Sequence, residues 1–409
     1  MDLVHKVHQL PKPGETIFAR EYVEGLGGKG NNQAVMVSKL MRSARSRLNR
    51  VNSGVSGHTD NTENNSNISA QSSCMFITGV GNDEFAHMML HSFQQHFSHV
   101  DQSVFQFTDT TTGRAMINVD DQGRNSIVLI RGANARLSPS HVDQCWSLVQ
   151  DCSRVLVVQN EIPLETTVHA LRRAKDSGML TVFNTAPAPK ATELNGDIVQ
   201  YVHVLCPNET EAISIIGDDH DDDDDALAHK QELSVEDGKR IAKKLYEKYV
   251  RQNGACSDVQ IVLTLGDKGA VAYMNKDFGL EKLQQQQMST ATTTTATTAN
   301  NNQSDDDADK EKKNELMGER ILVHFPLQDF ANSGKTVVDT TGAGDAFVGS
   351  LAYFLSRNVR LLDAIPMSNI VASDSVTKFG SQASFSGDFQ FDIWDRAWNK
   401  TLCNVIQQK

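Results

Sequence analysis

The sequence predicts an α/β protein: a mostly parallel sheet with helices on both faces, joined to a small antiparallel β lid. Three observations carry that expectation. Short continuous apolar runs alternate with helical patterns through the middle of the chain. The N-terminal part alternates apolar and polar residues instead. Near the other end, VVDTTGAGDAFVGSLAYFL (337–355) passes from valines through a glycine-rich turn into apolar residues at helical spacing.

In chain order, Asp2 to Glu24 and Arg114 to Arg131 show the period-2 pattern of half-buried antiparallel strands, with a hairpin turn at Asp120–Gly123. MFITGVG (75–81), RVLVVQ (154–159), LTVFN (180–184), YVHVLCPN (201–208) and VQIVLTLG (259–266) are short apolar runs, most ending at Gly, Asn or Pro. Helical patterns at Thr166–Ser177 and Glu236–Tyr249 lie between them. Such alternation buries both faces of a parallel sheet. Ligands of such sheets bind beyond the carboxyl ends of the strands. Glu161, Asn184, Asn208, Gly266 and the Asp339–Asp345 turn all fall there.

Three segments read as insertions: 43–73, rich in Asn, Ser and Gly; the aspartate run 218–225; and 284–313, which opens with QQQQ and ends in an acidic patch. None has apolar surface enough to offset the entropy of ordering it, so mobile surface loops are expected. These runs also explain the formal net charge of -12. Without the seven aspartates of one and the four of another, 40 acidic residues face 39 basic ones, and no basic patch points to nucleic acid. The six cysteines, Cys74, Cys145, Cys152, Cys206, Cys256 and Cys403, show no metal or redox spacing, which suits a reduced intracellular protein. No stretch reads as a membrane span or signal peptide. The expected location is the cytoplasm, with the nucleus left open.

The chemistry concentrates at the glycine-rich turn. Val337 and Val338 read as a strand end, and Gly342 and Gly344 leave backbone N–H groups uncovered before a helix. That arrangement is an anion site. A carboxylate at such a place, Asp345, needs a reason, and acid–base work on a group attacking the anion supplies one. Two other glycine motifs fail on context. Gly25, Gly27 and Gly30 match G-x-G-x-x-G without the apolar strand that should precede it. SGKT (333–336) has Asp329 where a P-loop opens with Gly. PNETEA (207–212) supports two readings that can coexist: Asn208 and Glu211 as a helix capping box, or a carboxylate orienting hydrated magnesium.

GGKGNNQA, NTAPA, PNETEA, TLGDKGA and DTTGAGDAF, in this order at the strand ends, resemble the PfkB-type carbohydrate kinase family. PKPGET, QNEIP, RGANARLS and FGSQAS resemble its ribokinase branch. The resemblance implies one kinase domain over 1–409, with a Rossmann-type three-layer fold. It implies transfer of the ATP γ-phosphoryl group to O5 of D-ribose, a reaction that rests on positioning and charge stabilisation. Asp345 would be the base, and the N–H groups of Gly342, Ala343 and Gly344 the anion hole. Asp2, Gly28, Lys29, Asn32 and Glu161 match sugar-binding positions, and Asn208 and Glu211 the phosphate and magnesium-water network. Thr264, Gly266 and Asn369 match the nucleotide grip. Asp339, Thr341, Ser375, Lys378, Gly380 and Ser384 match the ligands of a monovalent cation site, an all-oxygen set suited to potassium. ATP, Mg2+ and K+ are the implied cofactors, and a homodimer through the lid sheets the implied assembly.

The sequence departs from the pattern in three places. The family opens with an apolar strand ending in Asn two residues before the position of Asp2. Because the sequence opens at Met1, a sheet lacking that strand is expected. Thr185 stands where Pro is usual, and Asn31 replaces a small residue. Two rival readings follow: another sugar or nucleoside kinase of the same family, or a catalytically impaired form acting only in binding.

Overall fold

The computed structural model describes residues 1–54, 74–150, 153–190, 193–194, 196–217, 230, 232–248, 259–279, 319–327, 336–387 and 389. Insertions 218–225 and 284–313, and residues 55–73, lie outside them.

The lid comprises β1 (Asp2–Lys6), β2 (Glu21–Gly25), β5 (Arg114–Val119) and β6 (Asn125–Ile130), in the order β2-β1-β5-β6. The two outer pairs are antiparallel, and β1 and β5 run parallel. The β5–β6 turn is the expected one. Gly123 takes φ +76 and its N–H donates to the Asp120 carbonyl, while Asp120 Oδ1 accepts from the Gln122 and Arg124 N–H groups.

The main sheet has six strands: β12 (Arg320–Phe325), β11 (Ala270–Asn275), β10 (Gln260–Thr264), β9 (Val204–Leu205), β8 (Leu180–Phe183) and β7 (Val155–Val158), in that spatial order. β7 to β10 pair in parallel, whereas β11 and β12 are antiparallel. Alternate residues feed opposite cores. Phe183, Leu205, Ile261 and Leu263 join one cluster, and Val182, Val204 and Val262 the other. That period-2 division is why these strands read as continuous apolar runs. Helices α3 (Pro139–Val149), α4 (Leu164–Asp176), α5 (Glu209–Ile216) and α6 (Val235–Tyr246) supply the first core. Helices α1 (Lys29–Gly54), α7 (Ala343–Ser356) and α8 (Leu361–Ser375) supply the second.

β3 (Thr78–Val80) and β4 (Val104–Gln106) form a separate two-stranded sheet, and among the described residues β7 pairs with β8 alone. Helix α2 (Glu84–His96) packs Phe85, Met89 and Phe93 with Met1 and Leu3, joining the lid to the body through a third, smaller cluster.

Two boundaries differ from the sequence reading. Helix α1 runs to Gly54, so the start of the segment set apart at 43–73 is helical. Its Ala, Arg and Leu residues are good helix formers, which a composition count of Asn and Ser obscures. Val337 and Val338 belong to no strand. They are exposed, and the Val338 N–H donates to the Val376 carbonyl at 2.7 Å, tying the chain to the end of α8.

Candidate active site

Helix α7 begins at Gly342, which holds φ +80; a Cβ there would stand 2.8 Å from that of Ser381. The first intrahelical bond runs from the Ala346 N–H to the Gly342 carbonyl, so the N–H groups of the first turn have no partner four residues back. The Ala343 N–H makes a 3.2 Å turn contact with the Thr340 carbonyl. A Cβ on Gly344 would meet nothing within 4 Å, so space is open beside this turn.

Asp345 lies in the same first turn and is buried. Asn32 Nδ2 donates to its Oδ2 at 2.8 Å, and Gln33 Nε2 to its Oδ1 at 3.0 Å. The approach of α1 to α7 depends on Gly349, where a Cβ would fall 2.6 Å from the Gln33 carbonyl. Burial pushes the Asp345 carboxyl above the usual carboxylate range, while the Lys29 ammonium and the Asn32 and Gln33 amides pull it down.

The expected sugar positions gather around this carboxylate. Glu161 Oε2 accepts from the Lys29 N–H at 3.0 Å, and Gly28 lies alongside at φ +89. Burial raises the carboxyls of both Glu161 and Asp2, with Asp345 adding a repulsive push on each and Lys29 opposing it. Asp2 comes from the lid and Glu161 from the end of β7, so the pocket is closed from two sides.

At the neighbouring strand end, Asn208 and Glu211 form the capping box. The Glu211 N–H donates to Asn208 Oδ1 at 2.8 Å, and the Asn208 N–H donates to Glu211 Oε2 at 3.0 Å. Glu211 is buried, which raises its carboxyl, and it stays within electrostatic reach of Lys29 and Asp345. The cap and a place beside the site therefore coexist. The Thr264 N–H donates to the Pro207 carbonyl, bringing β10 next to Asn208, and Gly266 follows at φ +51. Asn369 is buried on α8, its Nδ2 donating to the Phe325 carbonyl at 2.9 Å. That bond ties α8 to the end of β12.

The residues expected at a cation site lie on the 339–341 turn, at the end of α8 and on the segment that follows it. Asp339 Oδ1 accepts from the Thr341 N–H and Oδ2 from the Gly380 N–H, each at 2.9 Å. The buried hydroxyls of Ser375 and Ser384 donate to the Ala372 and Ser381 carbonyls, which leaves their oxygen lone pairs to face a cation. Lys378 can offer only its carbonyl, because an ammonium has no lone pair, and its side chain is turned to Asp374 at 3.0 Å. This oxygen-only donor set fits a hard monovalent ion. The described residues hold no group of three or more His, Cys, Asp or Glu placed to bind a metal.

Sequence reasoning missed Gln33, Gln159 and Gln382. Gln159 Nε2 donates to Gln33 Oε1 at 2.6 Å, and Gln382 Nε2 donates to Asn32 Oδ1 at 2.9 Å. All three sit inside motifs at strand or helix ends, and a buried amide in such a motif was the available signal.

No helix among the described residues is long and apolar enough to cross a membrane. The chain is 28% identical to the ribokinase of Mus musculus over 388 residues, covering 94% of this chain and 88% of that protein. It is 27% identical to the deoxyribokinase of Salmonella typhi over 392 residues, covering 96% and 94%. Among solved structures, the ribokinase of Thermotoga maritima superposes with a TM-score of 0.60 at 26% identity, covering 98% of this chain and 96% of that one. The model of the pfkB family carbohydrate kinases matches residues 1–297 and 330–387. With most of its length so matched, the chain belongs to the pfkB family of carbohydrate kinases.

Proposed function

We propose that the chain transfers the γ-phosphoryl group of ATP to O5 of D-ribose. The observation that carries this reading is the buried Asp345 in the first turn of α7. There a carboxylate and helix N–H groups share one spot, ringed by Asp2, Lys29, Asn32 and Glu161. Asp345 accepts the proton of the attacking hydroxyl, and the N–H groups of Gly342, Ala343 and Gly344 receive the charge that builds on the transferring group. Asp2, Asn32 and Glu161 grip sugar hydroxyls. Thr264, Gly266 and Asn369 lie on the nucleotide side, with Asn208 and Glu211 toward the phosphates. Magnesium would be held through water by Glu211 and would neutralise phosphate charge. Potassium would be held by Asp339 and the neighbouring carbonyl and hydroxyl oxygens, stiffening the loop on which Gly342 packs. The ribokinase and deoxyribokinase relatives support a small pentose as the acceptor.

The lid would pair with a second copy. Val23, Val4, Ile117 and Ile127 are register neighbours across its four strands, on the face that carries Asp2, and Ile127 and Leu129 are each 50% exposed. A second copy would cover this apolar row.

The test is ADP release by the purified chain with MgATP and D-ribose, with and without potassium, beside Asp345→Asn. Ribose-dependent turnover, raised by potassium and lost by about 10²–10⁴-fold in the variant, is expected. Turnover with 2-deoxy-D-ribose in preference to D-ribose would support the second reading that the Salmonella relative favours. A folded chain with no turnover on either sugar would sink both.

A further inference from the structure

We propose that Gln33 is a positioning residue for the base, and that Gln159, Asn184 and Gln382 fix the direction in which the Gln33 and Asn32 amides point. The proposal rests on Asp345 being the proton acceptor.

On the Gln33 flank the direction follows from a group that has no choice of role. The Cys206 carbonyl can only accept, so Asn184 turns its Nδ2 toward it, at 2.8 Å. That leaves Asn184 Oδ1 facing Gln33, which must answer with N–H, at 3.0 Å. The same Gln33 nitrogen has a second hydrogen, and it goes to Asp345 Oδ1 at 3.0 Å. Gln33 Oε1, now on the far side, accepts from Gln159. On the other flank, Gln382 donates to Asn32 Oδ1, which leaves Asn32 Nδ2 for Asp345 Oδ2. Reversing either inner amide would set a carbonyl oxygen against the carboxylate and strand its outer partner. In a buried site both losses are costly.

Each Asp345 oxygen therefore receives one neutral donor and keeps lone pairs for the sugar hydroxyl. Donors to a carboxylate favour its charged form, the form a base requires. The charged groups facing Asp345 come from four elements. Lys29 of α1 helps ionisation, and the Asp345 charge in turn raises the carboxyls of Asp2 of β1, Glu161 after β7 and Glu211 of α5. Burial holds the carboxyl above the usual range, and Lys29 together with the two amides is what opposes it.

The experiment titrates Asp345 directly, by NMR of the chain labelled with side-chain carbonyl ¹³C aspartate, the resonance being assigned with Asp345→Asn. Gln33→Met removes the donor itself, and Gln159→Met and Gln382→Met remove its partners one bond further out; Gln33 and Gln382 are buried, so Gln159→Met, at a half-buried position, disturbs packing least. The Asp345 midpoint should rise by about one pH unit in Gln33→Met, as expected for losing a hydrogen bond to the charged form, and by a smaller step in Gln159→Met and Gln382→Met, which loosen the inner amides without removing them. The acid limb of kcat/KM for D-ribose should move up by the same amount, with the KM for MgATP unchanged. Midpoints that stay at the wild-type value in folded Gln159→Met and Gln382→Met, whatever happens to melting temperature, overturn the proposal. If the wild type shows no sugar-dependent turnover, the proposed function fails while the carboxyl titration still judges the amides.

Discussion

The lid and the six-stranded sheet are both β structure, yet they are held in opposite ways. Every residue of β8 is buried, and alternate residues of β8 to β10 enter two separate cores. In the lid, all six residues of β6 are exposed, and only Leu3 of β1 joins a buried cluster. The proposed site draws on both regions, with Asp2 from the lid and Asp345 from α7, which packs against the six-stranded sheet. Asp345 therefore sits on densely buried structure and Asp2 on a thinly covered sheet. The same deletion should thus cost very different amounts in the two places.

The largest effect belongs to the body. Phe183→Ala removes a fully buried ring between sheet and helices. A loss of about 3–5 kcal/mol is expected for such a cavity, read from urea or guanidinium unfolding. A loss under about 1 kcal/mol would mean that the two-core description is wrong. Next comes Gly342→Ala, at the join between α7 and the loop that carries Ser381. The new Cβ would face φ +80 and the Ser381 Cβ at 2.8 Å. About 1–3 kcal/mol of strain should appear in the melt, together with a drop in turnover beyond what the lost folded fraction explains. An unchanged melt would show that the Ser381 loop yields freely, and that Gly342 does not anchor it.

The two regions were not equally legible from sequence. Continuous apolar runs gave away β7 to β10, because a strand buried on both faces has no polar positions to confuse the pattern. The alternating lid strands and the DDQG turn were equally plain, since turn chemistry acts over four residues. What escaped was non-local. Val337 and Val338 look like a strand, but their partner is the end of α8, and no nearby residue signals that. The amides around Asp345 join residues more than 300 positions apart, and uncharged glutamines leave no mark in composition or period. The end of α1 was misjudged for the opposite reason: a biased composition downstream hid ordinary helix formers.

The smallest effect separates the lid's own stability from its assembly. Ile127 is half exposed at the edge strand, so Ile127→Ala in an isolated chain should change stability by about 0.5 kcal/mol or less. If a second copy covers the Val23–Val4–Ile117–Ile127 row, a charge there has a different consequence. Ile127→Asp would bury an unpaired carboxylate between two lids, and the assembly would separate rather than accept it. Sedimentation of the wild type should then give twice the chain mass, and of Ile127→Asp the chain mass alone, with the unfolding of the six-stranded core unaltered. A wild type that sediments as a single chain would leave the apolar row facing solvent. The lid would then act within one chain only.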